Sequence, residues 1–219
     1  MSEDAHQHSA SVGDSPGARL LATAAALFRK KGYANSSTRE LAALLGIRSA
    51  SLYHHIEKKE DLLYALCVNS LNNIREAGER AISEVSDPLD RVRALTRAHL
   101  KTALEDRDKH ATLLAELREL SDARRAEVLR LRDDYESLVR RTIGDAQAVG
   151  AVRQDVETKY LALALLNLLN WSIFWFSPGG DLTPEQLADL LAALFLEGAA
   201  IRRLQIRIEG CSLAADPVP

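Results

Sequence analysis

Residues 48–59 combine hydrogen-bond donors and positive charge in a segment with little apolar mass. The segment reads RSASLYHHIEKK, and Leu52 and Ile56 are its only large aliphatic residues. Guanidinium, imidazole, hydroxyl and ammonium groups hydrogen-bond to phosphates and to the edges of bases. Small side chains such as Ser and Ala allow a backbone to approach such a partner closely. This segment therefore has the composition of a surface that contacts a polyanion.

The charge distribution along the chain supports a polyanionic partner for its N-terminal part alone. Residues 16–61 contain eight basic and four acidic side chains, which gives a net charge of +4. The whole chain of 219 residues carries −3, so the remainder carries −7. A basic head on an acidic body favours binding of a polyanion by the head.

The composition predicts an all-α protein that places this segment on one of about nine helices. Ala and Leu dominate, whereas Gly, Pro and aromatic residues are sparse. The helical pattern divides into a head of three short helices and a larger C-terminal helical body. The predicted organisation is a disordered tail over 1–15, the head over 16–62, the body over 63–206 and a flexible tail over 207–219.

The head contains the pattern of a helix-turn-helix. Ser37 and Glu40 have the spacing of a capping box, and Gly46 ends the second helix after about two turns. The third helix is predicted over 49–55, and the second helix of such a pair enters the major groove of DNA. The predicted buried face of the preceding helix consists of Leu41, Leu44 and Leu45. At the start of the fourth helix, beside Lys58 and Lys59, free backbone N–H groups favour a phosphate.

Residues 17–63 resemble the DNA-binding head of the TetR family of bacterial transcriptional regulators. The matching residues are Phe28, Gly32, Tyr33, Ser37, Thr38, Leu41, Ala42, Gly46, Ile47, Leu52, Tyr53, His55, Lys59, Glu60, Leu62 and Leu63. The resemblance implies a cytoplasmic repressor that binds double-stranded, palindromic operator DNA as a homodimer. It also implies that the protein is not an enzyme, needs no cofactor or metal, and is released from DNA by a small apolar effector.

The resemblance implies a role for individual residues of the head. Thr38, Tyr53 and Lys59 are expected to contact phosphates, and the start of the third helix together with His54 is expected to contact bases. The complete predicted interface is Ser37, Thr38, Arg39, Arg48, Ser49, Ala50, Ser51, Tyr53, His54, Lys58 and Lys59. The family usually has Ser or Thr, Gly and Phe at positions 48, 50 and 56, where this chain has Arg48, Ala50 and Ile56. These departures leave the operator sequence open.

The last two helices, predicted over 157–176 and 183–203, are too apolar for one small body to cover. Two copies would bury both helices in a four-helix interface, whereas the alternative is that both belong only to the intramolecular core. The predicted interface stripe consists of Leu187, Leu190, Leu191, Leu194 and Gly198.

Amides and indoles inside the first of these two helices indicate either a ligand cavity or contacts across the dimer. Such groups need partners when they are buried. The candidate ligand-binding residues are His99, Leu113, Leu117, Arg118, Tyr135, Asn167, Asn170, Trp171 and Trp175.

A second resemblance concerns residues 171–191, which read WSIFWFSPGGDLTPEQLADLL. The aromatic cluster, the Pro-Gly-Gly turn and the Leu-Thr-x-x-Gln opening resemble TetR-family regulators that respond to acyl-CoA thioesters in lipid or sterol breakdown. This resemblance implies an acyl-CoA effector held in a long apolar tunnel. It also implies arginines at the coenzyme phosphates, for which the candidates are Arg118, Arg124, Arg125 and Arg130.

Two other classes were weighed against a regulator. The uncharged segment over 160–180 contains two Asn residues and only about 17 apolar positions, so a buried helix is favoured over a membrane span. The rival function is a helical lipid or acyl-CoA carrier, or an enzyme, with a vestigial DNA-binding head. The sequence offers no nucleophile–base pair, metal-ligand spacing or phosphate-binding Gly loop that would favour catalysis.

Overall fold

The computed structural model describes residues 15–199, and this part of the chain contains nine α-helices and no strand. The helices are α1 Pro16–Lys31, α2 Thr38–Leu45, α3 Ser49–Leu52, α4 Lys59–Ser83, α5 Pro88–Glu105, α6 Arg107–Glu116, α7 Asp122–Ala148, α8 Thr158–Trp175 and α9 Pro184–Ala199. A short 3-10 helix, Leu117–Glu119, follows α6. The predicted C-terminal tail, the predicted helix beyond residue 199 and all but the last residue of the N-terminal tail lie outside the described residues.

The head is formed by α1, α2, α3 and the first turns of α4. The side chain of Ser37 accepts a hydrogen bond from the backbone N–H of Glu40, as the capping pattern predicts. Gly46 then adopts φ +70° and ψ 26°, a left-handed conformation in which a glycine avoids the steric cost of a Cβ. The helix-turn-helix turn therefore depends on glycine at this position.

The third helix is shorter than predicted. After Leu52 the backbone continues as a turn, in which the N–H of His54 bonds to Ser51 and the N–H of His55 bonds to Leu52. This tighter winding directs Ile56 into the head core, where its side chain is buried.

The body packs α4 to α9 around a second apolar cluster. Gly78 of α4 permits a close approach to α5, because a Cβ at this glycine would lie 2.7 Å from Cδ1 of Leu95. Helix α5 also packs on α9, and α7 packs on α8. The cluster includes Ile74, Leu95, Leu100, Ile143, Leu165, Leu169 and Ile173.

Head and body are joined by a continuous apolar core. The cluster of buried residues that contains Phe28 and Leu52 of the head also contains Leu113, Leu120 and Val128 of the body. The boundary predicted between residues 62 and 63 falls inside α4 and inside this cluster. Packed side chains therefore connect α6 and the start of α7 directly to the head.

The outer faces of α8 and α9 expose a large apolar surface, which we call the α8–α9 face. Its exposed large residues are Tyr160, Leu168, Trp171, Phe174, Trp175, Leu190 and Leu194. Gly198 also lies at the surface. Leu187 and Leu191 were predicted to share this face, but they are 0% and 6% exposed and pack in the body core. These two leucines do not belong to the exposed stripe, because they lie on the inner side of α9.

Although Lys159 is the only charged residue of α8, this helix does not qualify as a membrane span, nor does any other helix within residues 15–199.

Candidate nucleic-acid interface and ligand cavity

Most of the residues predicted to contact DNA share one exposed surface of the head. The fully exposed members are Ser37, Arg39, Arg48, Ser49, Ala50, Tyr53, His54 and Lys58, whereas Thr38, Ser51 and Lys59 are half-buried. Leu52, the aliphatic residue of α3, is completely buried. The buried leucine fixes α3 to the head and leaves its polar side free for a partner.

Two of the predicted phosphate contacts lie next to each other. The hydroxyl groups of Thr38 and Tyr53 are 3.1 Å apart, so α2 and the turn after α3 present them together. The hydroxyl of exposed Ser37 accepts the capping hydrogen bond of α2 and keeps its O–H free to donate to a phosphate.

Lys59 is held inside the head rather than extended towards a phosphate. Its ammonium group donates to the carbonyl oxygens of Tyr33 at 2.7 Å and Ser36 at 2.9 Å, and it lies 4.0 Å from the centre of the Tyr33 ring. Burial lowers the pKa of Lys59, whereas Glu119 and Glu116 oppose that shift. Lys59 was predicted to contact a phosphate, but two of its three N–H donors already form hydrogen bonds within the head. Its side chain is therefore not free to extend towards DNA in this structure.

The predicted phosphate site at the start of α4 is also occupied by the chain itself. The carboxylate of Asp61 accepts the backbone N–H groups of Glu57 and Lys58 at 2.9 and 2.8 Å. The Lys58 ammonium lies 2.7 Å from the carboxylate of Glu60. Asp61 thus caps the residues just before α4, and the carboxylates of Glu60 and Asp61 make the start of this helix less positive than the sequence suggested.

Two exposed apolar residues flank the interface and escaped sequence analysis. Leu44 is 58% exposed, although helical spacing grouped it with buried Leu41, and Ile47 is 39% exposed in the turn before α3. Exposed apolar side chains beside polar groups can contact sugars and thymine methyls. The sequence signal was ambiguous because α2 has only two turns.

Polar contacts connect the head to α6 and α7. Arg29 of α1 pairs with Asp108 at 2.6 Å, and Glu116 at the end of α6 accepts the backbone N–H of Tyr33 at 3.1 Å. Ser121 donates both its N–H and its hydroxyl to Glu60. Helix α6 is therefore fixed to the head near both of its ends.

The first turn of α4 is an electrostatic junction between head and body. Hydrogen bonds from Lys58 and then from Ser121 lower the pKa of Glu60 to about 2. Arg124 of α7 lies 3.7 Å from Glu60 and 2.7 Å from Asp61. Both carboxylates therefore remain charged and paired at neutral pH.

A cavity of about 100 Å³ lies in the body between α4, α5, α6, α7 and α8. Its lining includes Leu71, Ile74, His99, His110, Leu113, Leu117, Arg132, Tyr135, Glu136, Asn167 and Asn170. His99, His110 and Tyr135 are buried, whereas Arg132 and Asn167 are exposed. The cavity therefore has a closed inner end and an open end between α7 and α8.

Two groups of hydrogen-bonded side chains meet at the inner end, one from α4, α6 and α8 and the other from α5 and α7. His110 contacts Ser70 Oγ through Nδ1 at 3.1 Å and Asn170 Oδ1 through Nε2 at 3.0 Å. His99 contacts the Tyr135 hydroxyl through Nδ1 at 2.8 Å. The two imidazole rings meet edge to face, with their centres 5.8 Å apart.

Burial keeps both imidazoles neutral. Desolvation, and secondarily the neighbouring His110, lowers the pKa of His99 to about 3, and Asn170 opposes this shift. Desolvation likewise lowers the pKa of His110, and its hydrogen bond with Asn170 opposes this shift. The inner end therefore offers neutral donors and acceptors rather than a positive charge.

The structure separates the predicted ligand residues into two groups. The cavity brings together His99, Leu113, Leu117, Tyr135, Asn167 and Asn170. Trp171 and Trp175 do not line it, because they are 67% and 54% exposed on the α8–α9 face. Arg118 is also excluded, since its exposed side chain lies beside Glu119.

Two expectations attached to an acyl-CoA effector are corrected. A volume of about 100 Å³ does not form a long apolar tunnel. The arginines proposed for the coenzyme phosphates do not line this cavity, and each lies beside a carboxylate: Arg118 beside Glu119, Arg124 beside Asp61, Arg125 beside Asp122 and Arg130 beside Asp134.

Sequence analysis missed His110 and Arg132. His110 lies three residues before Leu113, and Arg132 three residues before Tyr135, so helical spacing places each on the same face as a predicted lining residue. Among residues 15–199, no three His, Cys, Asp or Glu residues are grouped to hold a metal ion.

Two family models match the chain. The model for bacterial regulatory proteins of the TetR family covers residues 20–66, and the model for the tetracycline repressor-like C-terminal domain covers residues 85–199. The first match contains the helix-turn-helix, and the second contains most of the cavity.

Known proteins resemble the chain over most of its length. The HTH-type transcriptional repressor KstR2 of Mycolicibacterium smegmatis is 26% identical over 182 residues, covering 82% of this chain and 88% of that protein. The TetR-family regulator PfmR of Thermus thermophilus is 34% identical with a TM-score of 0.77, covering 84% of this chain and all of PfmR.

A third resemblance is to a structure with both ligand and DNA. The structure of AibR in complex with isovaleryl coenzyme A and operator DNA is 29% identical with a TM-score of 0.73, and the match covers 80% of this chain and 95% of AibR. The helix-turn-helix head, the helical body and the two family matches agree with one another. The chain therefore belongs to the TetR family of bacterial regulatory proteins.

Proposed function

We propose that this protein is a homodimeric transcriptional repressor that binds a palindromic operator and releases it when a short-chain acyl-CoA thioester enters the body cavity. The observation that carries this proposal is the position of α6. The same helix lines the cavity through His110, Leu113 and Leu114 and is fixed to the head through Asp108 and Glu116.

The head supplies the DNA-binding surface. Helix α3 presents Arg48, Ser49 and Ala50 beside the hydroxyl pair of Thr38 and Tyr53. The polar groups suit base edges and phosphates, and the small residues permit a close approach to the major groove.

The α8–α9 face supports a dimer. Leu190, Leu194 and Trp171 are 44%, 57% and 67% exposed, which makes a contiguous apolar surface costly to leave in water. A second copy covers it in a four-helix interface, and the two heads then reach half-sites about 34–36 Å apart. Expected support is a dimer in analytical ultracentrifugation that dissociates in a Leu190→Glu/Leu194→Glu variant.

The cavity supports a short acyl group rather than a long one. An apolar cavity of about 150 Å³ holds a benzene molecule. A cavity of about 100 Å³ therefore has room for roughly four or five carbon atoms. This size agrees with the isovaleryl group in the AibR complex. The pantetheine arm would leave through the open end, where Arg132 is the nearest cation.

The release mechanism is a change in the position of α6. Leu113 belongs both to the cavity wall and to the apolar cluster of the head. A ligand that displaces α6 alters the contacts with Asp108 and Glu116 and thereby the orientation of the head. Coupling of about 1–3 kcal/mol would lower DNA affinity by about 5- to 150-fold.

The direct test is fluorescence anisotropy on a labelled DNA fragment from upstream of the protein's own gene. Isovaleryl-CoA is expected to release the fragment, whereas free CoA and palmitoyl-CoA at the same concentration are not. Binding without release by any acyl-CoA chain length would refute the effector class, and absence of specific DNA binding would refute the regulator itself.

A matched pair of variants ties the response to the cavity. Leu166→Trp places an indole in the cavity wall and is expected to abolish release while DNA binding remains. Leu129→Trp makes the same chemical change on the exposed face of α7 and is expected to respond normally.

A further inference from the structure

The inner end of the cavity contains one buried polar atom without a partner. His99 is 1% exposed and lines the cavity, and no group within residues 15–199 meets its Nε2 in hydrogen-bond geometry. Asn170 lies near enough to raise the pKa of His99, but its Oδ1 is engaged by His110 Nε2 at 3.0 Å. The neighbouring His110 differs, since Ser70 and Asn170 engage both of its ring nitrogens. A buried polar atom without a partner is costly, so this atom indicates where a ligand can contribute.

The hydrogen-bond network determines which proton His99 carries. The buried Tyr135 hydroxyl contacts only His99 Nδ1, at 2.8 Å. Burial raises the pKa of Tyr135, so the hydroxyl keeps its proton. If Nδ1 carried the imidazole proton, the Tyr135 hydrogen would have no acceptor. Tyr135 therefore donates to Nδ1, and the neutral ring carries its proton on Nε2.

We propose that His99 is a specificity-determining residue whose Nε2–H donates a hydrogen bond to a carbonyl oxygen in the part of the effector that enters the cavity. This inference rests on the proposed ligand-binding role of the cavity and adds the chemistry by which the ligand is recognised. The effector is accordingly a short acyl or keto compound with its carbonyl inside the cavity, rather than a plain hydrocarbon chain.

Two observations favour a carbonyl over a carboxylate. The depressed pKa of His99, about 3, keeps the imidazole neutral, and a neutral donor suits a neutral acceptor. Arg132, the one cation in the cavity lining, lies at the open end, so a carboxylate at the inner end would lack a counter-charge. A carbonyl oxygen satisfies the Nε2–H without burying a charge.

Recognition of the carbonyl can be measured by comparing the Kd of a ligand that has this oxygen with the Kd of a ligand that lacks it. A ligand of the same shape without the oxygen leaves the buried donor unpaired. The expected loss is about tenfold to a hundredfold in Kd.

The test compares isovaleryl-CoA with S-isopentyl-CoA, a thioether in which the carbonyl is replaced by CH2. Isothermal titration calorimetry on the full chain is expected to show the thioester binding at least tenfold more tightly. Equal affinities of the two compounds would overturn the inference, while release of operator DNA by isovaleryl-CoA would leave the proposed function intact.

Two variants test whether the Nε2–H of His99 causes the difference in affinity between isovaleryl-CoA and S-isopentyl-CoA. His99→Asn keeps an acceptor near the position of Nδ1 for Tyr135 but has no atom at the position of Nε2, so the ratio is expected to fall to about 1. His99→Gln retains an amide donor near Nε2 and is expected to preserve part of the ratio. A ratio that stays at the wild-type value in folded His99→Asn contradicts the proposal.

A measurement on the wild-type protein covers the case in which isovaleryl-CoA does not bind. The probes are 4-methyl-2-pentanone and its hydrocarbon counterpart 2-methylpentane, and the readout is the 1H–15N NMR signal of the His99 Nε2–H. A shift with the ketone alone supports the inference even if the acyl-CoA effector class fails. No shift with the ketone in that case overturns it.

Discussion

The guanidinium of Arg124 donates a 2.7 Å hydrogen bond to the carboxylate of Asp61 and so joins the start of α7 to the first turn of α4. Both side chains are half-buried, with 28% and 23% exposure. Arg124→Met leaves Asp61 and its neighbour Glu60 without this cation. The expected loss in unfolding free energy is about 1–3 kcal/mol, measured as a lower urea midpoint.

Arg125 supplies the control for this prediction. It pairs with Asp122, whose side chain is 92% exposed, at the same end of α7. Arg125→Met is expected to change stability by less than about 0.5 kcal/mol. Equal losses in the two variants would show that the junction at Asp61 adds nothing to stability.

Lys59 is expected to matter for folding as well as for DNA binding. Lys59→Met removes the two hydrogen bonds to the carbonyl groups of Tyr33 and Ser36, which should cost about 1–3 kcal/mol of unfolding free energy. Lys58→Met is the matched control, because Lys58 is exposed and its side chain bonds only to Glu60. A variant at Lys59 with wild-type stability but weak DNA binding would instead favour a direct phosphate contact.

Arg48 is expected to contribute to sequence preference rather than to stability. Its side chain is exposed at the residue before α3. If Arg48 contacts a guanine, Arg48→Ala should reduce discrimination at one base pair by about 1–3 kcal/mol. Anisotropy with single-base operator variants measures this, and Arg140→Ala on α7 serves as the charge control. Unchanged preference with uniformly weaker binding would assign Arg48 to a phosphate.

Two glycines inside helices should respond oppositely to substitution by alanine. Gly144→Ala on α7 is expected to stabilise by up to about 1 kcal/mol, because the nearest atom to a new Cβ, Thr158 Cγ2, is 3.8 Å away. Gly78→Ala places the Cβ 2.7 Å from buried Leu95 Cδ1 and is expected to destabilise by about 1–3 kcal/mol. Thermal unfolding shows whether the midpoint temperature rises in Gly144→Ala and falls in Gly78→Ala. Stabilisation by Gly78→Ala would mean that Leu95 repacks freely.

Stability is expected to decrease as the pH falls below about 6.5. The unfolded chain protonates His99 near pH 6.5, whereas the folded chain holds its pKa at about 3, so unfolding takes up a proton between these values. The loss for His99 alone is about 1.4 kcal/mol per pH unit. Urea titrations between pH 5.5 and 7.5 measure the slope.

A double variant identifies the group responsible for this pH dependence. His99→Phe/Tyr135→Phe removes the imidazole and its hydroxyl partner together, so no buried group is left unpaired. The proton uptake on unfolding should fall by about one. An unchanged slope would place the titration at other groups.

Local sequence signals determined the helices well where a cap or a proline was present. Asp87 caps α5, which begins at Pro88, and the reciprocal hydrogen bonds of Thr183 and Gln186 form at the start of α9. The third helix was overextended because nothing in its sequence marks the change to a tighter turn after Leu52. Capping is a local property, so one sequence is sufficient to detect it.

Contacts between distant helices could not be predicted in the same way. Leu187 and Leu190 belong to a helix whose leucines cover a wide arc, so periodicity placed both on one stripe although only Leu190 is exposed. The hydrogen bonds of Lys59 to the loop after α1 depend on the packing of α4 against the head. The residue type of Trp171 indicated either a ligand cavity or a dimer contact, and its position on the exposed face could not be predicted from periodicity.

The dual position of Leu113 limits how this scaffold can be converted into a biosensor. If the cavity binds the effector as proposed, a substitution at Leu113 that alters ligand preference is also expected to repack the head and so to change expression in the absence of inducer. Leu163 and Leu166 line the cavity from α8, away from the head cluster. Directed evolution confined to these α8 positions can alter inducer choice while background expression stays constant.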